Sequence, residues 1–236
     1  MGRSLGVNPS GTKRKLCNFN CVYCFYGPTG ALPRTEEFPA VEEVLDAVEN
    51  ALRSAVAADW LTFSGNGEST LHPEFPRLVR EVKRLVKRFR PRLPMALLSN
   101  GSTAFDPEVR AALREFDLSV LKLDAGDARN FAAINRPVGG SVDFDRMVGG
   151  LRAFEPPGGL TMQTVMFSGN PTNSSGEAYR NWVKTIGAIR PRVLQLYTLD
   201  DPVGRMLPVD HSRLAQVSRD LEEYGVEVKT YWEEGA

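Results

Sequence analysis

The chain carries three cysteines, and all of them fall within one short segment, CNFNCVYC, as Cys17, Cys21 and Cys24. Three thiolates with C-x3-C-x2-C spacing can converge on one metal centre. An iron–sulfur cube normally takes four protein ligands, so three clustered cysteines leave one iron open to a small molecule. The alternatives are a structural zinc site completed by His72 or His211, or buried thiols without a chemical role.

A second candidate site follows the apolar segment at residues 60–64, where Gly65, Asn66, Gly67 and Glu68 come in succession. Glycines let backbone polar groups approach a ligand closely, and a neighbouring carboxylate can bind an ammonium group. Asn-Gly after an apolar strand is also typical of a hairpin turn. Because the residues that follow have helical periodicity, we favour a ligand site.

Two further pairs of polar residues follow the next apolar runs. Ser99 and Asn100 could hydrogen-bond a ribose or a carboxylate, or form a turn. Strand alternation places Lys122 and Asp124 on one face of the fourth strand. If that face lines the interior, both side chains can touch a ligand, and otherwise they form a buried ion pair that fills the space.

The later strands and loops supply polar residues that need partners. Gln163 and Gln195 lie within otherwise apolar strands, and buried polar groups are normally hydrogen-bonded. Arg136 lies in the loop NRPVGG, where it either holds an anionic group of the substrate or remains solvated. We therefore treat these three residues, together with Lys122, as candidates for substrate contacts.

The elements that must position these residues alternate between strand and helix. Strand candidates cover residues 3–8, 60–64, 94–99, 118–123, 160–167 and 193–198, with 226–231 as a possible seventh. Helix candidates cover about 40–57, 74–89, 106–115, 143–154, 175–188 and 210–224. This alternation predicts an α/β fold, either a partly closed barrel or a doubly wound sheet. Both place function at the carboxyl ends of the strands, where the candidate residues fall.

Length and composition indicate one soluble domain over residues 1–236, of which 42% are hydrophobic. Lys plus Arg and Asp plus Glu are equal at 29 each, so the chain lacks the basic excess of a dedicated nucleic-acid binder. No apolar stretch approaches membrane-spanning length. Three tightly clustered cysteines cannot form a disulfide framework, which favours a cytoplasmic location.

One concentrated basic surface is expected on the helix at 74–92. Its basic residues are Arg77, Arg80, Lys83, Arg84, Lys87, Arg88, Arg90 and Arg92. Such a charge run is usually the solvated outer face of a helix, and binding of RNA or another acidic partner is the alternative.

The cysteine segment resembles the hallmark of the radical S-adenosylmethionine superfamily, C-x3-C-x2-C with an aromatic residue before the last cysteine, here Tyr23. The resemblance implies a partial (β/α)6 TIM-type barrel and one [4Fe–4S] cluster on Cys17, Cys21 and Cys24. It also implies that S-adenosylmethionine binds the open iron and is reductively cleaved to a 5′-deoxyadenosyl radical for hydrogen abstraction. An electron donor such as flavodoxin or ferredoxin would then be a partner.

The same resemblance assigns contacts to S-adenosylmethionine. Tyr23 would lie near the adenine, and residues 65–68 are similar to the family's Gly-Gly-Glu motif with Asn66 in the second place. The sixth strand would pass beside the adenine. The implied S-adenosylmethionine contacts are Tyr23, Gly65, Asn66, Gly67, Glu68, Ser99, Asn100, Asp124, Leu196 and Tyr197.

The runs FSGNGESTLHPEF, LKLDAGD and INRPVGG resemble a bacterial and archaeal subgroup related to wyosine tRNA synthases. Those synthases carry a second cluster on additional cysteines, which this chain lacks, so the same reaction is not expected. The substrate stays open among small molecules, peptides and nucleosides. Two alternatives also stay open: an activase of glycyl-radical enzymes, and a zinc-stabilised, non-enzymatic α/β binding module.

Overall fold

A computed structural model describes residues 2–231 of the chain. Its strands are β1 (Ser4–Val7), β2 (Trp60–Phe63), β3 (Met95–Ser99), β4 (Leu118–Lys122), β5 (Thr161–Gly169), β6 (Val193–Thr198), β7 (Met206–Pro208) and β8 (Glu227–Tyr231). Its helices are α1 (Val41–Arg53), α2 (Phe75–Phe89), α3 (Pro107–Leu113), α4 (Ala128–Ile134), α5 (Phe144–Arg152), α6 (Gly176–Ile189) and α7 (His211–Glu222). Short 3-10 helices cover Thr35–Glu37, Ser69–Leu71 and Val138–Gly140.

The sheet is a run of parallel strands in the order β1-β2-β3-β4-β5-β6-β8, and β7 pairs antiparallel with the end of β5. Parallel neighbours require a crossover, and helices fill these crossovers. Strands β1 and β8 form the two edges, and within residues 2–231 no pairing joins them. The predicted partial barrel is therefore confirmed, and the possible seventh strand at 226–231 is present as β8, beside β6.

Two elements were not predicted from the sequence. The crossover from β4 to β5 holds α4, with seven residues, as well as the predicted α5. Its start is fixed by Asp127, whose carboxylate accepts a hydrogen bond from the Asn130 N–H at 2.8 Å. Strand β7 has three residues and depends on its pairing with β5.

The core lies between the sheet and the helices. The central strands have the continuous apolar runs expected of a sheet covered on both faces, as in β3, where Met95, Ala96 and Leu97 are buried. Helix α2 buries one stripe, made of Phe75, Leu78, Val79, Val82 and Val86. Fully burying each large apolar side chain contributes roughly 1.5–3 kcal/mol, which fixes the helix against the sheet.

Four of the eight basic residues on and just after α2 are paired with other groups of the chain. The partners are Glu42 and Glu74 for Arg77, Glu115 for Lys83, Glu81 for Arg84, and the carbonyls of Leu52, Ser54 and Val56 for Arg90. These contacts support the interpretation of a solvated outer face. Binding of RNA stays a prediction.

Across the described part of the chain, no helix combines the length and the apolar character needed to cross a bilayer.

Candidate active site

The cysteine loop, residues 17–24, lies between two distant parts of the chain. On one side, the Leu16 carbonyl just before the loop accepts a hydrogen bond from the Glu68 N–H at 2.9 Å. On the other side, the Val22 N–H donates to the Ile134 carbonyl at 2.9 Å, at the end of α4. The loop is thus held from both the β2 end and the β4–β5 crossover.

The three thiols are free, and each has a side-chain N–H donor. The donor–sulfur pairs are Asn100 Nδ2 and Cys17 Sγ at 3.8 Å, Asn135 Nδ2 and Cys21 Sγ at 3.4 Å, and Lys15 Nζ and Cys24 Sγ at 3.2 Å. Burial raises the pKa of Cys17 to about 12 and also raises the pKa of Cys21. These two thiols therefore stay protonated until a positive centre replaces the proton.

A single-ion site at these cysteines finds no support in the geometry. Within residues 2–231, no three or more His, Cys, Asp or Glu side chains are close enough to hold one metal ion. His72 is already engaged, because its Nε2 lies 3.0 Å from the Pro39 carbonyl and its Nδ1 accepts from the Glu74 N–H at 3.1 Å. His72 is therefore not available as the fourth ligand of a zinc site.

Gly65 and Gly67 allow another segment of the same chain, residues 8–16, to approach their backbone closely. A Cβ on Gly67 would lie 2.2 Å from the Leu16 carbonyl oxygen, and one on Gly65 would lie 2.2 Å from Asn8 Oδ1. We expected these glycines to make room for a ligand. The structure shows that they make room for the segment that leads into the cysteine loop, and their contact with a ligand stays a prediction.

Asn66 occupies the middle of this turn and binds the same segment. Its Oδ1 accepts from Asn8 Nδ2 at 2.9 Å, and its Nδ2 donates to the Arg14 carbonyl at 3.3 Å. After the turn the chain continues into a 3-10 helix and then α2, so the hairpin alternative is wrong.

Glu68 is a buried carboxylate that joins the ends of β2 and β3. Its Oε1 accepts from the Thr70 N–H at 3.0 Å, the Thr70 hydroxyl at 2.7 Å and the Ser99 hydroxyl at 2.8 Å. Its Oε2 accepts from the Asn100 N–H at 2.6 Å. Burial raises the pKa of Glu68 in spite of these four donors. Oε2 accepts this one bond and retains capacity for a cationic partner.

Lys122 and Asp124 do share one face, as strand alternation predicts, and they meet in a cluster of interior polar groups. The Lys122 ammonium lies 3.5 Å from Asp124 Oδ1 and donates to the Tyr197 hydroxyl at 2.5 Å. It also lies over two rings, 5.0 Å from the centroid of Tyr23 and 4.7 Å from that of Tyr197. Burial alone would lower the pKa of Lys122, but Asp124 and Tyr197 raise it, and the net shift is upward.

Asp124 connects this cluster to the cysteine loop. Its Oδ2 accepts from the Tyr23 hydroxyl and from Asn135 Nδ2 at 3.1 Å, and its Oδ1 accepts from the Val165 N–H at 3.0 Å. Burial raises the pKa of Tyr23 well above its ordinary value, and the Asp124 charge adds to this. Tyr23 therefore remains a neutral donor with its ring inside the barrel.

The other candidates divide between two places. Gln163 and Gln195 are paired across β5 and β6, with Nε2 and Oε1 3.4 Å apart, and Leu196 beside them is fully buried. Arg136 is exposed and, together with Cys21 and Cys24, lines a cavity of about 460 Å³. Within residues 2–231 its guanidinium has no hydrogen-bond or ion-pair partner. The structure thus places Arg136 apart from the two glutamines.

Two residues beside the thiols were missed by the sequence analysis. Neither Lys15 nor Asn135 was among the candidate site residues. Each role depends on a tertiary contact, since Asn135 lies 114 positions from Cys21. Nothing in the local sequence marks Asn135 as a donor to a thiol.

Comparison with known proteins identifies related chains. The family model described as the Radical SAM superfamily matches residues 15–171. The "UPF0026 protein" of Helicobacter pylori (strain J99) is 33% identical over 211 residues, which are 88% of this chain and 65% of that relative. The chain thus spans less than two thirds of that relative's length.

Two further matches are more distant. The "GTP 3′,8-cyclase" of Marinobacter nauticus is 29% identical over 157 residues, covering 65% of this chain and 43% of that protein. The solved structure described as "Native anSMEcpe with bound AdoMet" superposes with a TM-score of 0.67 at 17% identity, covering 96% of this chain and 63% of that one. The second match concerns the fold alone.

Proposed function

This chain belongs to the radical SAM superfamily, and from that premise we propose that it is an enzyme that binds one [4Fe–4S] cluster through Cys17, Cys21 and Cys24. When bound, such a cluster would supply one-electron reduction of S-adenosylmethionine, with methionine and a 5′-deoxyadenosyl radical as the products, and hydrogen abstraction from the substrate would follow. An external one-electron donor of the flavodoxin or ferredoxin class supplies that electron.

The observation that carries this proposal is the set of three free thiols, each with an N–H donor directed at its sulfur. Hydrogen bonds to sulfur are a regular feature of iron–sulfur sites, whereas inert buried thiols do not need them. The three thiolates of a cube bind different irons, so they lie farther apart than the ligands of one ion. Within residues 2–231 no group of three or more His, Cys, Asp or Glu side chains is close enough to hold one ion, which supports a cube over a single zinc ion.

The interior cluster supports a role in binding the rest of the cofactor and the substrate. The ring of Tyr23 lies between the cysteine loop and the barrel interior, where an aromatic face can stack on a base. Lys122, Gln163 and Gln195 follow on neighbouring strands, and their donors and acceptors suit a polar substrate. The ammonium of Lys122 favours a substrate that carries negative charge or an electron-rich carbonyl group.

Glu68 supports a contact with the amino group of S-adenosylmethionine. Its carboxylate is fixed by four donors from the chain, so no side-chain entropy is lost when a cation binds. Burial raises the pKa of Glu68, and an ammonium at this site would offset that rise by favouring the charged carboxylate.

The test is anaerobic reconstitution with iron and sulfide, followed by incubation with S-adenosylmethionine and dithionite. We expect 5′-deoxyadenosine and methionine from the wild-type protein and neither product from Cys24→Ala. The matched control is Phe25→Ala, which removes a fully exposed neighbouring side chain and is expected to retain cleavage. A reconstituted wild-type protein with full iron content and no cleavage product would refute the proposal.

A further inference from the structure

The three N–H donors at the thiols differ in charge. Asn100 and Asn135 present neutral amides, while Lys15 presents an ammonium to Cys24. Lys15 is only 9% exposed, and its Nζ is fixed by a second bond to the Gly27 carbonyl at 2.8 Å. Its position is therefore set by the turn that follows Cys24.

The charge of Lys15 has no carboxylate partner among residues 2–231. The neighbouring Arg14 is bound to Glu37, with Nη2 and Oε2 2.5 Å apart, so this acid is already neutralised. A buried ammonium is costly unless an anion or several acceptors surround it. The Cys24 sulfur lies 3.2 Å from this ammonium, so Lys15 is placed to interact with negative charge on a cluster held by Cys24.

We propose that Lys15 is a positioning residue that raises the reduction potential of the cluster bound at Cys24. This inference rests on the function proposed above. Reduction adds one electron from the external donor and changes no covalent bond, so the site becomes more negative by one charge. A fixed cation at a ligand sulfur stabilises that reduced form, and hydrogen bonds to sulfur act in the same direction.

The test is a potentiometric titration of the reconstituted full chain, followed by electron paramagnetic resonance of the reduced cluster. In Lys15→Met we expect the ratio of reduced to oxidised cluster, at the wild-type midpoint, to fall at least tenfold. For a one-electron couple this corresponds to about 59 mV. Lys15→Arg should stay near the wild type, and Lys15→Gln, which keeps a donor without the charge, should lie between.

The matched control is Lys13→Met, which removes the same charge from an exposed position in the same segment. It should leave the potential unchanged. An unchanged potential in Lys15→Met with full iron and sulfide content would overturn the inference, as would equal shifts in both variants. Loss of the cluster in both Lys15→Met and Lys15→Gln would also overturn it, because Lys15 would then be needed for assembly.

These outcomes are separate from failure of the proposed function. If the wild-type protein binds no cluster or cleaves no S-adenosylmethionine, the proposed function is wrong. If the wild-type protein does both and the Lys15 variants share its potential, only the role of Lys15 is wrong.

Discussion

Replacing Gly67 with alanine is expected to force the cysteine loop away from the end of β2. The new Cβ would lie 2.2 Å from the Leu16 carbonyl oxygen and 2.7 Å from Ser10 Oγ. The serine hydroxyl can rotate, but the carbonyl belongs to the backbone and also accepts the Glu68 N–H at 2.9 Å. The two segments must therefore separate by roughly 1 Å to reach an ordinary contact.

The cost follows from two contributions. Forcing an extra carbon into a packed site typically costs about 1–3 kcal/mol, and losing the backbone hydrogen bond from Glu68 to Leu16 adds about 1 kcal/mol. We expect Gly67→Ala to lower the free energy of unfolding by roughly 2–4 kcal/mol. For a chain of this size, about 1 kcal/mol moves the melting temperature by about 2–4 °C, so a fall of roughly 5–15 °C is expected.

The assay is thermal unfolding of the metal-free protein, followed by circular dichroism. The matched control is Gly149→Ala on the exposed side of α5, where a Cβ would meet nothing within 4 Å. That change should stabilise the helix by up to about 1 kcal/mol. A melting temperature for Gly67→Ala within about 1 °C of the wild type would refute the close approach of Leu16 to Gly67.

Three further predictions concern buried polar contacts. Trp182→Phe removes the indole N–H bond to the Leu123 carbonyl at 3.1 Å, so the free energy of unfolding in urea should fall by about 1 kcal/mol. An unchanged urea midpoint would contradict that hydrogen bond. Glu68→Gln replaces one acceptor oxygen by an N–H donor that faces other donors. We expect the free energy of unfolding, measured with urea, to fall by roughly 2–4 kcal/mol. A fall below about 0.5 kcal/mol would argue against the four hydrogen bonds. Because burial lowers the pKa of His72 below its ordinary value of 6.5, the unfolded chain binds the extra proton, and stability should fall from about pH 7.5 to about pH 5.5. His72→Gln should make that fall shallower, and an equal slope would exclude His72 as its cause.

Most of the fold was predictable because its strands and main helices are long enough to show a period. The apolar run of β3 and the stripe of α2 each follow from burial against the sheet. α3 is as short as α4 but begins with Asp106-Pro107, a typical helix start, whereas α4 lacks a proline at its first position, and β7 depends on a partner strand. Periodicity also could not choose between an open sheet and a partial barrel, since both have the same alternation.

The candidate site was predictable in its residue types but not in its contacts. Spacing identified the cysteines, and strand alternation placed Lys122 beside Asp124, as the structure shows. The glycine motif indicated that some group approaches the backbone closely. It did not indicate that this group is the Leu16 carbonyl. Asn135 and Lys15 gain their roles from the folded chain, where their side chains meet sulfur atoms. The assignment of the individual cofactor contacts stays a prediction.

The two-sided attachment of the cysteine loop has a consequence for synthesis of the protein. The loop needs Gly67 on one side and the carbonyl of Ile134 on the other. A nascent chain therefore exposes its three thiols long before the residues that enclose them have left the ribosome. The thiols are therefore enclosed only after residue 134 has been synthesised and α4 has packed against the loop.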